Sequence, residues 1–305
     1  MTRPHVPRVA VVGDALIDEL RDPRGTREFV GGAALNVATG LALLGTDATL
    51  VAMIGDDEPG RRIRSFLIDY DVALVASPSE LGSSRAVSIR TSGGEPRYEF
   101  NAAARARRLA FDGTTRDALD AADLVVVSCY PFDDDEQVEA LLGAVRDPRR
   151  RLVIDANPRA GMLHDRDRFL ANLLRAAATS VLVKVGDDDA DLLAGTSLEQ
   201  FVRVLGQRGC PAVLATAGRH GASVHTAALE VHSGVVELPG PIVDTMGAGD
   251  ATLAGVVHRI AAGGMPATAE TWASVLAEAM GIAAATIRQE GALLRTPREP
   301  GHPGS

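Results

Sequence analysis

The feature that most constrains this chain is a repeated pairing of a short apolar run with a longer Ala/Leu-rich stretch. The runs are RVAVVG (8–13), DATLVAMIG (47–55), LVVVS (124–128), RLVIDA (151–156), SVLVKVG (180–186) and AVLATAG (212–218). They are apolar at consecutive rather than alternate positions, as strands buried on both faces of a parallel sheet must be. Between them lie AALNVATGLALLG, EPGRRIRSFLIDY, DEQVEALLGAV, RDRFLANLLRAAA and SLEQFVRVLGQRG, which read as helices, as do 249–263 and 270–289. Parallel neighbours need long crossovers, so the alternation predicts an α/β fold: a doubly wound, mostly parallel sheet flanked by helices.

Two segments break this rhythm. DELRDPRGTREFVGG (18–32) stands where the first helix is due, and SSRAVSIRTSGGEPRYEFN (83–101) alternates like a hairpin with SGG as its turn. Both are polar enough for strands covered on one face. They predict a small β-sheet lid, with strands over 18–32 and 83–103, above the strand ends where α/β folds bind ligands. A surface decoration or a dimer-forming flap is the plainer alternative. Residues 1–305 read as one domain, and 296–305 (TPREPGHPGS) as a disordered tail.

Composition narrows the function by exclusion. With 46% hydrophobic and 23% charged residues the balance is that of a soluble globular protein, and no apolar run is long enough to span a membrane. The opening residues read as a first strand, because Asp14 and Asp18 interrupt the apolar run a signal peptide needs. Two cysteines, Cys129 and Cys210, form no disulfide framework, so a cytoplasmic location is expected. A net charge of −9 argues against a nucleic-acid or anionic-membrane surface, and the basic cluster RDPRRR (146–151) reads as a solvated loop. Lys184 is the single lysine, so no Gly-Lys-Ser/Thr P-loop exists. A lysine at a strand end ordinarily reaches solvent.

The stretch DTMGAGDATLAG (244–255) carries the strongest chemical signal. Gly247 and Gly249 allow a ligand to approach the backbone, and the helix that follows directs several N–H groups at one point, forming an anion hole. Asp250 within it is placed to take a proton from a hydroxyl attacking phosphorus, while the N–H groups neutralise charge on the transferred group. A glycine-rich helix start with an acidic cap explains the same four residues more plainly.

The longer pattern VDTMGAGDATLAG resembles the second signature of the ribokinase-like carbohydrate kinase family, and FVGGAALNVATGLALLG (29–45) resembles its first. VVGDALID, IGDDEPGRRI, DANPR (155–159), TAGRHG (216–221) and AAATIRQEGA extend the likeness in order along nearly the whole chain. The resemblance implies an ATP-dependent sugar kinase with a lid, acting on a small-molecule sugar and ATP with Mg²⁺. It makes Asp250 the catalytic base and Gly247, Ala248 and Gly249 the anion hole. Asp14, Asp18, Gly31, Gly32 and Asn36 become sugar-binding candidates; a carboxylate such as Asp18 suits vicinal hydroxyls because it accepts from both. Thr216, Gly218 and Gly221 would line the nucleotide, with Lys184, and His220 would be only solvent-exposed. A K⁺ ion would order 242–247 through carbonyls near 286–292, and a homodimer would form through the lid. Without the resemblance, Asp18 reads as a turn residue and Asn36 as a polar group satisfied within a helix.

The chain departs from the family near 184–189, where KVGDDD puts Gly186 at a usual Asn and Asp189 at a usual Glu. Asp189 is one methylene shorter than Glu but still able to hold a metal-bound water. Thr252 replaces a frequent phenylalanine. GDALID and GGAALNVA, with Ala33 where ribokinases carry lysine, point to a hexose, fructose first, over ribose. A 2-keto-3-deoxygluconate kinase would need a cation for the substrate carboxylate, for which Arg97 and Arg159 are candidates, though each is equally a surface arginine. A nucleoside substrate would want aromatic surfaces, and aromatics are 4% of the chain. The altered 184–189 segment keeps open a sugar or nucleotide sensor without turnover. A dinucleotide oxidoreductase fails for want of G-x-G-x-x-G after the first strand.

Overall fold

The computed structural model describes residues 6–89, 97–146 and 151–297. In chain order the elements are β1 (Arg8–Gly13), β2 (Leu16–Asp22), β3 (Gly25–Gly31), α1 (Ala33–Leu43), β4 (Asp47–Gly55), α2 (Glu58–Asp69), β5 (Ala73–Ser79) and β6 (Ser84–Ile89). Then come β7 (Arg97–Phe100), α3 (Ala102–Arg105), α4 (Gly113–Ala121), β8 (Leu124–Ser128), α5 (Asp135–Ala144), β9 (Arg151–Asp155), α6 (Arg166–Ala177) and β10 (Leu182–Gly186). The remainder is α7 (Asp187–Ala194), α8 (Leu198–Gln207), β11 (Ala212–Thr216), β12 (Ala222–Thr226), β13 (Glu230–Ser233), α9 (Ala248–Gly263) and α10 (Ala269–Thr286).

The large sheet runs β13-β12-β11-β10-β9-β8-β1-β4-β5. From β11 to β5 every neighbouring pair is parallel; β12 and β13 add an antiparallel edge. The consecutive apolar runs have the reason expected of them. Val9 and Val11 of β1 enter a core shared with α1, α2, α9 and α10, whereas Ala10 and Val12 enter a second core with α4, α5, α6 and α8 on the other face. The chain leaves β1 toward β4 on one side and β8 on the other, so the sheet order reverses there, and the crevice beyond those strand ends is where such sheets bind ligands.

The predicted helices and the six predicted strands are present, with ends trimmed. SVLVKVG begins its ladder only at Leu182, and AVLATAG stops at Thr216, before Gly218 turns with φ 47°. β5, β12, β13, α3, α4 and α7 were not legible in the apolar pattern. β5 is half-exposed and carries Pro78, which an edge strand tolerates, and β12 and β13 form the opposite edge, where polar residues face water. The irregular segments form a separate sheet, β3-β2-β6-β7, in which β2 pairs antiparallel with β3 and parallel with β6. Its strands are not polar throughout, since Leu16, Ile17 and Leu20 of β2 are buried. Arg85 of β6 ties Glu19 of β2 to Glu28 of β3, and Arg62 of α2 also holds Glu28, anchoring this sheet to the main body. The SGG turn, most of RDPRRR and the tail from 298 lie outside the described residues.

Small side chains set how α9 sits. Gly40 of α1 lies so close to Ala254 of α9 that an added Cβ would stand 3.1 Å from it, and Gly255 meets Ala279 of α10 at the same distance. The three helices therefore pack with backbones close together, which brings the first turns of α1 and α9 side by side.

Candidate active site

The first turn of α9 is built as the sequence suggests. Gly247 is its N-cap with φ 77°, a left-handed conformation that glycine adopts freely, and no side chain caps the helix. A Cβ on Gly247 would stand 2.6 Å from the Ala292 carbonyl oxygen. The helix N-terminus thus carries no cap from its own N-cap residue. Asp250 is buried, and its Oδ2 accepts a hydrogen bond from Asn36 Nδ2 at 2.8 Å across 214 residues of sequence. Burial, followed by the nearby Asp155 charge, pushes the Asp250 carboxyl up to about 6, while Asn36, Lys184 and Arg159 pull the other way. A carboxylate so placed ionises at neutral pH yet is basic enough to receive a proton. Thr252, where a phenylalanine is frequent in the family, donates its hydroxyl to the Ala248 carbonyl at 2.8 Å.

The sugar-binding candidates meet beside it. Asp18 of β2 lies over Gly31: a Cβ there would be 2.2 Å from Asp18 Oδ2. Burial and the neighbouring Asp14 raise the Asp18 carboxyl to about 7, with Arg159 opposing and Asp250 adding to the rise. Gly32 has φ 110°, and a Cβ there would stand 2.9 Å from the Asp14 carbonyl oxygen. Asp14 itself caps α1, its Oδ1 accepting from the Ala34 amide at 3.0 Å, so this carboxylate is already engaged by the protein. Arg159, though solvent-exposed, keeps its charge firmly: partial desolvation is outweighed by Cys129, Asp250, Asp14 and Asp189. Arg97 is placed differently. Its side chain is 77% exposed on β7 and pairs with Glu99 at 3.2 Å.

Among the candidates for nucleotide and metal, Asp189 and Thr216 converge on Gly186. Asp189 Oδ2 accepts the Gly186 amide at 2.7 Å, and a Cβ on Gly186 would meet Thr216 Oγ1 at 3.5 Å and Asp189 Oδ2 at 3.6 Å. Burial raises the Asp189 carboxyl to about 6 against the pull of Lys184. Gly218 is open, His220 is exposed, and Gly221 (φ 87°) passes close to the Ser233 carbonyl. Lys184 does not reach solvent. It is 5% exposed and donates to Asp155 Oδ1 at 2.8 Å. A lysine at the C-terminal end of a central parallel strand points into the crevice rather than past it.

Sequence reasoning overlooked Ser128, Asp155, Cys129 and Asn157. Ser128 Oγ donates to Asp155 Oδ2 at 2.8 Å, and both residues are wholly buried. Cys129 (φ 50°) and Asn157 (φ 36°) follow β8 and β9 in a conformation that non-glycine residues rarely hold, and such strain gathers at functional sites. The available signal was a carboxylate ending an apolar run in RLVIDA, since a buried strand end keeps a charge only where it has a partner. Segments 242–247 and 286–292 also adjoin: the amides of Val243 and Asp244 donate to the Ile287 carbonyl, and Asp244 accepts the amides of Met246 and Gly291.

The pfkB family carbohydrate kinase model matches residues 7–298. This chain belongs to the pfkB carbohydrate kinase family. It is similar to a fructokinase of Rhizobium leguminosarum bv. trifolii, 32% identical over 267 residues that cover 81% of this chain and 78% of the relative. It is also similar to the aminoimidazole riboside kinase of Salmonella typhimurium, 28% identical over 271 residues, 83% of this chain and 81% of that one. Among solved structures, a fructokinase double mutant from Vibrio cholerae O395 with fructose, ADP and potassium bound superposes with a TM-score of 0.77 at 22% identity, covering 94% of each chain. That likeness shows the same fold. As a member of the family, the chain is an ATP-dependent sugar kinase, a phosphotransferase with an alcohol acceptor.

Proposed function

We propose that this kinase phosphorylates a hexose, fructose first, at a hydroxyl deprotonated by Asp250. The observation that carries the reading is Asp250 itself, buried with an elevated pKa at an uncapped helix N-terminus and aimed by Asn36. The sugar lies against Asp18, Gly31, Gly32 and Asn36, with Asp14 supporting the wall as the cap of α1. The four-stranded sheet that carries Asp18 acts as the lid, excluding water that would compete for the phosphoryl group. The nucleotide runs along Lys184, Thr216, Gly218 and Gly221. The sugar O–H proton passes to Asp250, its oxygen bonds to the γ-phosphorus, and the bond to the β-phosphate oxygen breaks, releasing ADP. The anion hole of Gly247, Ala248 and Gly249 neutralises the transferred group.

Asp189 suits a Mg²⁺ site, because one oxygen is held by Gly186 and the other makes no hydrogen bond among the described residues. Those residues hold no group of three His, Cys, Asp or Glu side chains that would bind a metal unaided. That accords with Mg²⁺ held by one carboxylate, water and substrate phosphates, where it would neutralise phosphate charge. The junction of 242–247 with 286–292 supports a K⁺ site there. A homodimer through the small sheet and a cytoplasmic location complete the reading; no helix among the described residues is long and apolar enough to cross a membrane. Arg159, whose charge bears on Asp14, Asp18 and Asp250, favours 2-keto-3-deoxygluconate as the second substrate to try.

The test is ADP release with Mg-ATP on fructose, ribose, tagatose, 2-keto-3-deoxygluconate, adenosine and aminoimidazole riboside. Turnover of fructose above the others supports the reading. Sugar binding without turnover by any of them would make the protein a sensor and sink it.

A further inference from the structure

Asp18, Leu20 and Asp22 alternate onto one face of β2, and their register partners on β3, Phe29, Arg27 and Gly25, share that face. Two of these partners reach the segment that follows α10. The Arg27 guanidinium lies 2.7 Å from Asp22 Oδ2 and 3.2 Å from Glu290 Oε1, and Arg24 in the β2–β3 turn stands 3.8 Å from the same Glu290 oxygen. Phe29 faces Gly291, where an added Cβ would stand 3.5 Å from the ring. Arg27 holds this place although its Nε is buried with no hydrogen-bond partner among the described residues, which costs folding stability.

The same short segment continues to the anion hole. The Gly291 amide donates to Asp244 Oδ2 at 3.3 Å, and Asp244 Oδ1 accepts the amide of Met246, the residue before Gly247. Ala292 lies so close to Gly247 that an added Cβ on the glycine would stand 2.7 Å from the Ala292 Cβ. Residues 290–292 therefore touch the strand pair that carries Asp18 on one side and the N-cap of α9 on the other.

We propose that Glu290 is a positioning residue for phosphoryl transfer: held by Arg27 and Arg24, it ties closure of the small sheet over the sugar to the placement of the anion hole. This rests on the sugar-kinase reading above. A sugar drawn onto Asp18 holds β2 and β3 against the body. Arg27 then holds Glu290, and Gly291 and Ala292 hold Asp244 and Gly247 in place for the phosphates. Each substrate tightens the other, by one factor in both directions, because the coupling free energy is shared. With side chains 29% and 41% exposed, the Arg27–Glu290 pair adds little to folding, so its effect is expected in the coupling and not in the melt.

The test is calorimetric binding of the Mg²⁺ complex of the β,γ-imido analogue of ATP, without and with saturating fructose or whichever sugar of the panel above is turned over fastest. KCl is held saturating, so that K⁺ occupancy does not vary. Compared are wild type, Glu290→Gln, Arg27→Met, Arg27→Lys and the double variant Glu290→Gln/Arg27→Met, each shown to be folded by a thermal melt. In the wild type the sugar should tighten the analogue. Glu290→Gln and Arg27→Met should each cut that factor by about two- to fivefold, the range of an exposed ion pair, while binding without sugar is unchanged. The double variant should lose no more than either single variant, since both remove one contact. Arg27→Lys keeps the charge and should keep most of the coupling. Wild-type coupling in Glu290→Gln, or additive losses in the double variant, would overturn the proposal and make Glu290 a surface residue. A wild type that turns over a sugar but shows no coupling would overturn it while the kinase reading stands. A wild type inert toward every sugar would overturn both.

Discussion

Asp250→Asn removes one negative charge from a nearly sealed site while keeping the side chain's shape. Asn36 still has a carbonyl oxygen to donate to, so the link between α1 and α9 survives. In the wild-type protein the carboxyl rises from 3.8 to about 6, so the folded state holds the proton more tightly than the unfolded chain does. Stability therefore falls as pH rises from 3.8 through about 6, and the penalty is complete above that window. A shift of roughly two units corresponds to about 3 kcal/mol, and the amide's own burial reduces the gain to about 1–3 kcal/mol. With an unfolding entropy of ~2.1 cal/mol/K per residue, that predicts a Tm higher by about 2–5 °C. Turnover should drop by at least about a thousandfold, with sugar affinity preserved. The assay is a paired melt and ADP-release series at pH 7.5 and pH 4.5. The Tm gain should be full at the higher pH and shrink at the lower. An unchanged or lower Tm at pH 7.5, or near-normal turnover, would refute the assignment of Asp250 as the buried base.

Three further outcomes are expected. Gly31→Ala drives a methyl to within 2.2 Å of Asp18 Oδ2 and should raise sugar KM by about tenfold or more while the melt shifts little, as steady-state kinetics and calorimetry would show. Because the Asp18 carboxyl sits at about 7 and binds hydroxyls as an acceptor, sugar KM should fall as pH rises from 6 to 8, and Asp18→Asn should flatten that profile. A Cβ at Gly186 meets nothing nearer than 3.5 Å, and its φ of −109° is ordinary, so for Gly186→Asn the fold should stay within about 0.5 kcal/mol of wild type in denaturant titration while Mg-ATP KM falls.

Much of the architecture was legible because burial on both faces leaves a local mark. A central parallel strand is buried on both faces and keeps a polar residue only where it finds a partner, as Ser128, Asp155 and Lys184 do at the strand ends, so β1, β4, β8, β9, β10 and β11 appear as largely apolar runs, whereas the edge strands β5, β12 and β13 face water and leave a mixed pattern. The helix start at Gly247, with Gly249 and Asp250 in its first turn, was legible for a similar reason: a glycine cap in a left-handed conformation is a local requirement. What tertiary structure decided lies between elements. Asn36 meets Asp250, Lys184 meets Asp155, and Asp18 covers Gly31 only because α1, α9 and the strand ends converge. The sequence by itself determined the buried central strands, the longer helices and the glycine-rich helix start that carries Asp250. Packing alone decided that this carboxylate loses its water and that the single lysine turns inward, because desolvation and charge pairing depend on neighbours distant in the chain.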